Sequence, residues 1–152
     1  MNNELRAALP ALVPLAVEWA KRVSAEAAAG GMPLVPEGED LARSVGVRHP
    51  ERIRVAVANE LPFPDHPALR EAAIATGLLG PDMAGLTLGY TVFVRMGYGT
   101  PRLMSHEFRH VAQYEAAGSI EAFLPEYLTQ IVEVGYEDAP FERDARNHEI
   151  AD

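Results

Sequence analysis

Apolar residues recur at three- and four-residue steps over residues 2–29, and this spacing predicts a long first helix that ends at Gly30. Start and stop signals predict two shorter helices, over 38–44 and 67–76. Between them, residues 52–58 alternate apolar and polar side chains, which is typical of a strand with one buried face. The first half of the chain is therefore predicted to contain three helices and one strand.

The second half begins with a longer alternating stretch, residues 86–96, which predicts a second strand. A helix is predicted to follow Thr100, whose hydroxyl can cap its first turn, and to end at Gly118. An apolar stripe over 120–132 predicts the next helix, in which Pro125 should produce a kink or a break.

A last short helix is predicted from residue 140 to about residue 150. The order helices, strand, helix, strand, helices predicts an α+β fold with a small sheet, mixed or antiparallel. The length suits a single domain over 1–152, with residues 1–50 mainly helical and 51–152 holding the sheet and the later helices.

The composition is that of an ordinary globular protein, with 48% hydrophobic and 23% charged residues. A net charge of -9 argues against nucleic acid or an anionic membrane as a partner. The absence of cysteine excludes disulfides, thiolate metal ligands and thiol nucleophiles. No apolar run approaches the roughly 18 residues of a membrane span, so we expect a cytoplasmic protein, whose oligomeric state stays open.

One short motif, His106-Glu107-x-x-His110, lies in the helix predicted after Thr100. Residues four apart on a helix project from one face, so the two imidazoles can share one Zn²⁺. Glu107 is close enough to this face to take a proton from a metal-activated water. The alternative is a surface helix with two histidines in ordinary hydrogen bonds.

The motif resembles that of the zincin metallopeptidases. The resemblance implies a Zn²⁺ cofactor, a zincin-like fold and hydrolysis of a peptide or protein substrate with Glu107 as the general base. It also implies that a strand lines the cleft and pairs with extended substrate, and residues 86–96 are the candidate. The alternative function is a zincin-fold binding or regulatory module that cleaves nothing.

Catalytic zinc sites typically use three protein ligands. The metzincin pattern requires glycine and histidine where this chain has Gln113 and Ala116, so the resemblance is to the gluzincins, which take a glutamate from a downstream helix. Glu142, in the first turn of the predicted last helix, is the expected third ligand. The alternatives from the same segment are Glu137, Asp138, Asp144 and His148.

Tyrosines near the motif are candidate donors to a developing oxyanion. Tyr136, just before the predicted ligand helix, is the first choice, with Tyr98 and Tyr114 as alternatives. Arg109 is a candidate to pair with a carboxylate of the C-terminal segment, and a solvated arginine is the equal alternative. Glu115 is expected to point away from the ligand face.

Overall fold

The structure, a computed structural model, describes residues 3–80 and 82–152. These residues form six α-helices, a 3₁₀ turn and three strands. In chain order the elements are α1 (Asn3–Gly30), α2 (Pro36–Ser44), the 3₁₀ turn (Pro50–Arg52), β1 (Arg54–Ala58), α3 (Pro67–Ala75), β2 (Gly85–Leu88), β3 (Thr91–Arg95), α4 (Pro101–Ala117), α5 (Ile120–Val134) and α6 (Pro140–Asn147). The helices predicted in the first half are confirmed as α1, α2 and α3; Asn2, where the first prediction begins, lies outside the described residues.

The three strands form one sheet in the order β1-β3-β2. β3 is parallel to β1 and antiparallel to β2, so the sheet is mixed. α3 lies in the connection between β1 and the β2–β3 pair, as parallel pairing requires a crossover. The predicted α+β class is confirmed, and of the two sheet forms that the sequence left open the structure has the mixed one.

The prediction of a single strand over 86–96 is wrong, because the chain reverses in the middle of this stretch. Leu88 pairs with Thr91 across a two-residue turn, and Gly89 begins that turn with a φ of 66°. Glycine adopts this left-handed conformation without the steric cost of a side chain. The sequence alternates on both sides of the turn, so periodicity alone did not distinguish two short strands from one long strand.

β3 is the central strand, and helices cover both of its faces. Phe93 packs with residues of α1 and α5 in one core cluster. Val92 and Val94 pack in a second cluster, against Phe108 and Val111 of α4. The antiparallel register places Thr87 of β2 on the same face as Val92, so Thr87 faces α4. The edge strand β2 is thus held directly beside the helix that carries the histidines.

Two predictions for the C-terminal helices need correction. α5 runs unbroken through Pro125, so the predicted break does not occur; the proline costs only one backbone hydrogen bond, early in the helix. α6 ends at Asn147 rather than near residue 150. The following residues instead contact α4, where the backbone N–H of Ile150 donates to Ser105 Oγ at 3.0 Å.

Glu115 points away from the histidines, as predicted, and ties the end of α4 to the segment before β1. Its carboxylate accepts the backbone N–H groups of Arg48 and His49 at 2.7 and 2.9 Å and the hydroxyl of Tyr90 at 2.7 Å. Three hydrogen bonds to one carboxylate indicate a structural role.

Glu115→Ala should therefore lower the free energy of unfolding by about 2 kcal/mol, because two backbone donors and one hydroxyl lose their acceptor. Denaturant unfolding followed by circular dichroism measures this change. Glu121→Ala is the control, since it removes an exposed ion pair with Lys21 and a contact with its own backbone N–H at the start of α5, and it should shift the midpoint much less. Equal midpoints for the two variants would contradict the structural role of Glu115.

Candidate metal centre

The helix α4 carries the two histidines and has the ends that its sequence predicts. Thr100 Oγ1 accepts the backbone N–H of Leu103 at 3.2 Å, and Gly118 ends the helix with a φ of 104°. His106 and His110 project from one face, with their ring centroids 4.9 Å apart. Residues at both ends of α4 define where the helix starts and stops. Because both histidines lie within it, their four-residue spacing sets the distance between their side chains.

Glu142, in the first turn of α6, lies between the two imidazoles. Its Oε1 is 3.1 Å from Nε2 of His106, and its Oε2 is 3.0 Å from Nε2 of His110. One ligand atom from each of the three residues lies within 4.8 Å of the others. The Glu142 side chain is only 2% exposed, so the carboxylate is held in this position by its surroundings.

Two imidazole nitrogens and one carboxylate oxygen are a donor set typical of catalytic zinc sites. The chemistry and spacing of these three groups therefore fit one Zn²⁺. Such a set leaves a coordination position for water or substrate.

The other residues predicted as alternative third ligands are not part of the cluster of His106, His110 and Glu142. Asp144 instead accepts the Arg109 Nε–H at 2.7 Å, so of the two alternatives for Arg109 the structure shows the ion pair. Nδ1 of His148 contacts the backbone oxygen of Asp144 at 2.8 Å. Glu137 and Asp138 are exposed, before the start of α6.

A second layer of side chains orients both histidines. Nδ1 of His106 is 2.8 Å from Oε2 of Glu149, and Nδ1 of His110 is 2.8 Å from Oε1 of Gln113. Oxygen acceptors at both Nδ1 atoms favour a ring proton there. Each Nε2 is then the nitrogen that can bind a metal ion once the ion displaces its proton.

A hydrogen bond also orients the carboxylate of Glu142. The hydroxyl of Tyr127 donates to Oε2 of Glu142 at 2.7 Å. Gln113 is itself held, because its Nε2 donates to Asp144 at 2.8 Å and to the Phe141 backbone oxygen at 2.9 Å. The C-terminal helix and α4 therefore share one hydrogen-bonded network around the candidate site.

Burial and neighbouring charges act in opposite directions on the ligands' pKa values. Burial lowers the pKa of His106, but Glu142 and the other carboxylates outweigh it and raise this pKa to about 9. Burial also favours protonation of Glu142, yet the two imidazoles hold its pKa well below the usual range. The carboxylate therefore stays ionised inside the protein, beside the two imidazoles.

Glu107 lies beside the two histidines and Glu142, on the side of α4 that faces β2. Its carboxylate is nearly buried, and Oε1 accepts the hydroxyl of Thr87 at 2.9 Å. Burial raises the pKa of Glu107. A carboxylate with a raised pKa, fixed at one oxygen and lining a cleft, has the properties of a general base.

The three tyrosines take different positions. Tyr136 lines the same cleft as His106 and Glu107, and burial followed by the charge of Glu142 raises its pKa. Tyr98 lines this cleft too, with 46% of its surface exposed. Tyr114 is buried, and its hydroxyl donates to the backbone oxygen of Thr87 at 3.3 Å.

Sequence reasoning missed four contacts of this site. Tyr127 lies within the apolar stripe over 120–132, and a tyrosine at a helical core position gives no sign of its hydroxyl partner. Thr87 and Glu149 lie far from the motif in sequence, and no local pattern connects them with it. Gln113 is the exception: its place three residues after His110 put it on the ligand face, and that spacing could have predicted the contact.

Comparisons with known proteins add no relative: no family model matches the chain, and no curated protein or solved structure matches it significantly. None of the helices in the described part of the chain has the combined length and apolarity needed to cross a membrane.

Glu149→Ala should weaken zinc binding about 10- to 100-fold, because Nδ1 of His106 loses the acceptor that orients the ring. Competition with a chromogenic chelator measures the affinity. Glu149→Gln should keep most of it, since the amide oxygen can also accept. Asp152→Ala is the matched control, because it removes a different contact of the same tail, with the Arg102 N–H at 2.9 Å. Equal affinities for Glu149→Ala and the wild type would show that His106 needs no such support.

Proposed function

We propose that the chain is a zinc-dependent hydrolase, most specifically a peptidase of the gluzincin type. The observation that carries the proposal is the position of Glu142 between His106 and His110, with Glu107 in the adjoining cleft. His106, His110 and Glu142 would hold the ion. When bound, Zn²⁺ supplies a Lewis acid that makes water nucleophilic near neutral pH.

Glu107 carries the proton in this proposal. The Thr87 hydroxyl occupies Oε1, so Oε2 takes the proton of the attacking water. Burial of the carboxyl group stabilises its protonated form, so Glu107 can hold this proton and then release it to the leaving amine. Tyr136 lines the cleft and is the proposed hydrogen-bond donor to the carbonyl oxygen that gains charge.

A zincin-like fold is part of the same proposal. Its support is the edge strand β2, which is antiparallel to β3 and lies against α4 through the Thr87–Glu107 contact. An edge strand offers unpaired backbone groups, to which an extended peptide can add as a further strand. The open cleft beside it, about 600 Å³ in volume, has room for such a peptide.

The experiment is cleavage of a random peptide library by protein loaded with one equivalent of zinc, read by mass spectrometry. We expect cleavage that a chelator stops and that added zinc restores. Hydroxamate binding without cleavage of any peptide would instead support a metal-binding module that cleaves nothing. Failure of the protein to take up zinc would overturn the proposal.

A further inference from the structure

A groove lined by basic side chains lies at the C-terminal end of α4, away from the candidate metal centre. Its volume is about 610 Å³, and its walls come from α1, the segment before β1, the turn between β2 and β3, and the start of α5. Glu115 of α4 lines the groove, nine residues after His106. Because a helix rises about 1.5 Å per residue, the groove and His106 are roughly 13 Å apart along the helix axis.

The charge of the groove is opposite to that of the chain. The chain has a net charge of -9, whereas four cations and two carboxylates line the groove and give it a formal net charge of +2. The cations are Lys21, Arg48, Arg52 and Arg54, and the carboxylates are Glu115 and Glu121. A concentration of cations in a concave surface produces a local positive potential, which attracts anions.

Both carboxylates of the groove already bind groups of the protein. Glu115 accepts two backbone N–H groups and the hydroxyl of Tyr90. Glu121 pairs with Lys21 at 3.2 Å. In the described part of the chain the three arginines of the groove form no ion pair with a carboxylate. Their charges are therefore available to an anion from outside the protein.

Two of these arginines are oriented by contacts that use only part of the guanidinium group. Nη1 of Arg54 donates to the backbone oxygens of Glu51 and Ile53, at 3.0 and 2.8 Å. The guanidinium of Arg52 lies over the ring of Tyr90, 5.9 Å from its centroid. A guanidinium group has five N–H donors, in a planar arrangement that matches the two oxygens of a carboxylate. Both side chains therefore keep donors for a carboxylate ligand.

We infer that this groove binds a short peptide segment of a partner protein that carries at least two acidic side chains. The cations lie on two walls, with Lys21 on α1 and the arginines on the segment before β1, so a ligand with several carboxylates can contact more of them than a single anion can. Clusters of arginine are a recurring means of recognising acidic peptide motifs.

Two other classes of ligand fit the groove less well. Sites for small molecules are mostly apolar and bury most of their ligand, whereas Lys21, Arg48 and Arg52 are exposed and the groove is open to solvent. A nucleic acid would extend beyond the groove onto the acidic remainder of the chain, which repels it. The inference does not depend on the proposed hydrolase function, because no group of the metal centre takes part.

The test is fluorescence anisotropy with a hexapeptide that carries three glutamates and a neutral fluorescent label. We expect saturable binding at low ionic strength and weaker binding as salt is added, because salt screens exposed charges. The same peptide with three glutamines should not bind. Metal-free and zinc-loaded protein should bind the glutamate peptide equally, since the groove lies at the other end of α4 from the metal centre.

Two double variants locate the binding site. Arg48→Ala combined with Arg52→Ala should weaken binding about 10-fold, the effect of losing two exposed ion pairs. Arg22→Ala combined with Arg143→Ala is the matched control, because it removes the same charge at exposed positions outside the groove. Its affinity should stay within about 2-fold of the wild type. Circular dichroism checks that both double variants are folded.

Four results would overturn the proposal. No binding of the glutamate peptide to the wild type would do so without any variant, and equal weakening in the two double variants would show a response to net charge alone. Binding that requires zinc would place the peptide at the metal centre. Tighter binding of a single-stranded DNA hexamer than of the peptide would identify a nucleic-acid site. A protein that binds the peptide in the groove but never takes up zinc would lose only the hydrolase proposal.

Discussion

Zinc should be lost almost completely from a Glu142→Ala variant. In the wild type this carboxylate lies 3.1 and 3.0 Å from the two imidazole nitrogens and is nearly inaccessible to solvent. Its removal leaves two histidines, a donor set that binds zinc far more weakly than three ligands do. We expect near-stoichiometric zinc in the wild type, and an affinity reduced more than about 100-fold in the variant, because a residue that binds the ion matters at least as much as one that only orients such a residue.

Elemental analysis after dialysis against low-affinity chelator gives the stoichiometry, and thermal unfolding gives an independent measure. Zinc at 100 times the wild-type dissociation constant should stabilise the wild type by about 2.7 kcal/mol and Glu142→Ala by less than about 0.4 kcal/mol. Glu137→Ala is the matched control, since Glu137 is an exposed carboxylate just before the same helix. Stoichiometric zinc in Glu142→Ala would assign the third ligand to another residue.

Glu107→Gln should retain zinc but lose about 10²- to 10⁴-fold in kcat. The amide has nearly the size of the carboxylate, and its oxygen can still accept the hydroxyl of Thr87, which is 2.9 Å from Oε1 in the wild type. What the amide cannot do is take a proton. The loss should therefore appear in kcat, with KM little changed, because the bound peptide keeps its contacts.

The measurement is steady-state kinetics on a peptide found in the library experiment, with the zinc content of each preparation determined in parallel. Glu126→Gln is the control, since it makes the same chemical change at an exposed position of the neighbouring helix α5. Zinc-loaded Glu107→Gln with wild-type kcat would exclude Glu107 as the base. Loss of zinc from this variant would show that Glu107 supports the metal rather than the reaction.

The features of this protein that the sequence determines are the local ones. The helix α4 follows from a cap at Thr100, a stop at Gly118 and a periodic face between them, all within one short stretch. The motif spacing then places both histidines on one side of that helix, since helical geometry relates residues four apart. Resemblance to the gluzincins added Glu142, and the structure places this residue at both imidazoles.

The turn at Gly89 is a feature that the alternating pattern of the sequence did not predict. Both halves of 86–96 alternate, so the periodic signal was the same for one strand or for two. Pairing of Leu88 with Thr91 decided between them. A glycine in a strand pattern is compatible with a turn, a bulge or an ordinary strand residue, and here Gly89 has the positive φ of a turn.

Only the tertiary structure decided which side chains surround the motif. Glu149 reaches His106 because the chain leaves α6 at Asn147 and returns along α4, and Thr87 reaches Glu107 because the hairpin sets the face of β2. Neither contact has a local signal, since hydrogen bonds between residues far apart in sequence depend on how whole elements pack. The chain's own pattern thus determined the ligand helix, and the packing of β2 and the C-terminal segment against it determined the orientation, burial and charge of the groups that the proposed chemistry needs.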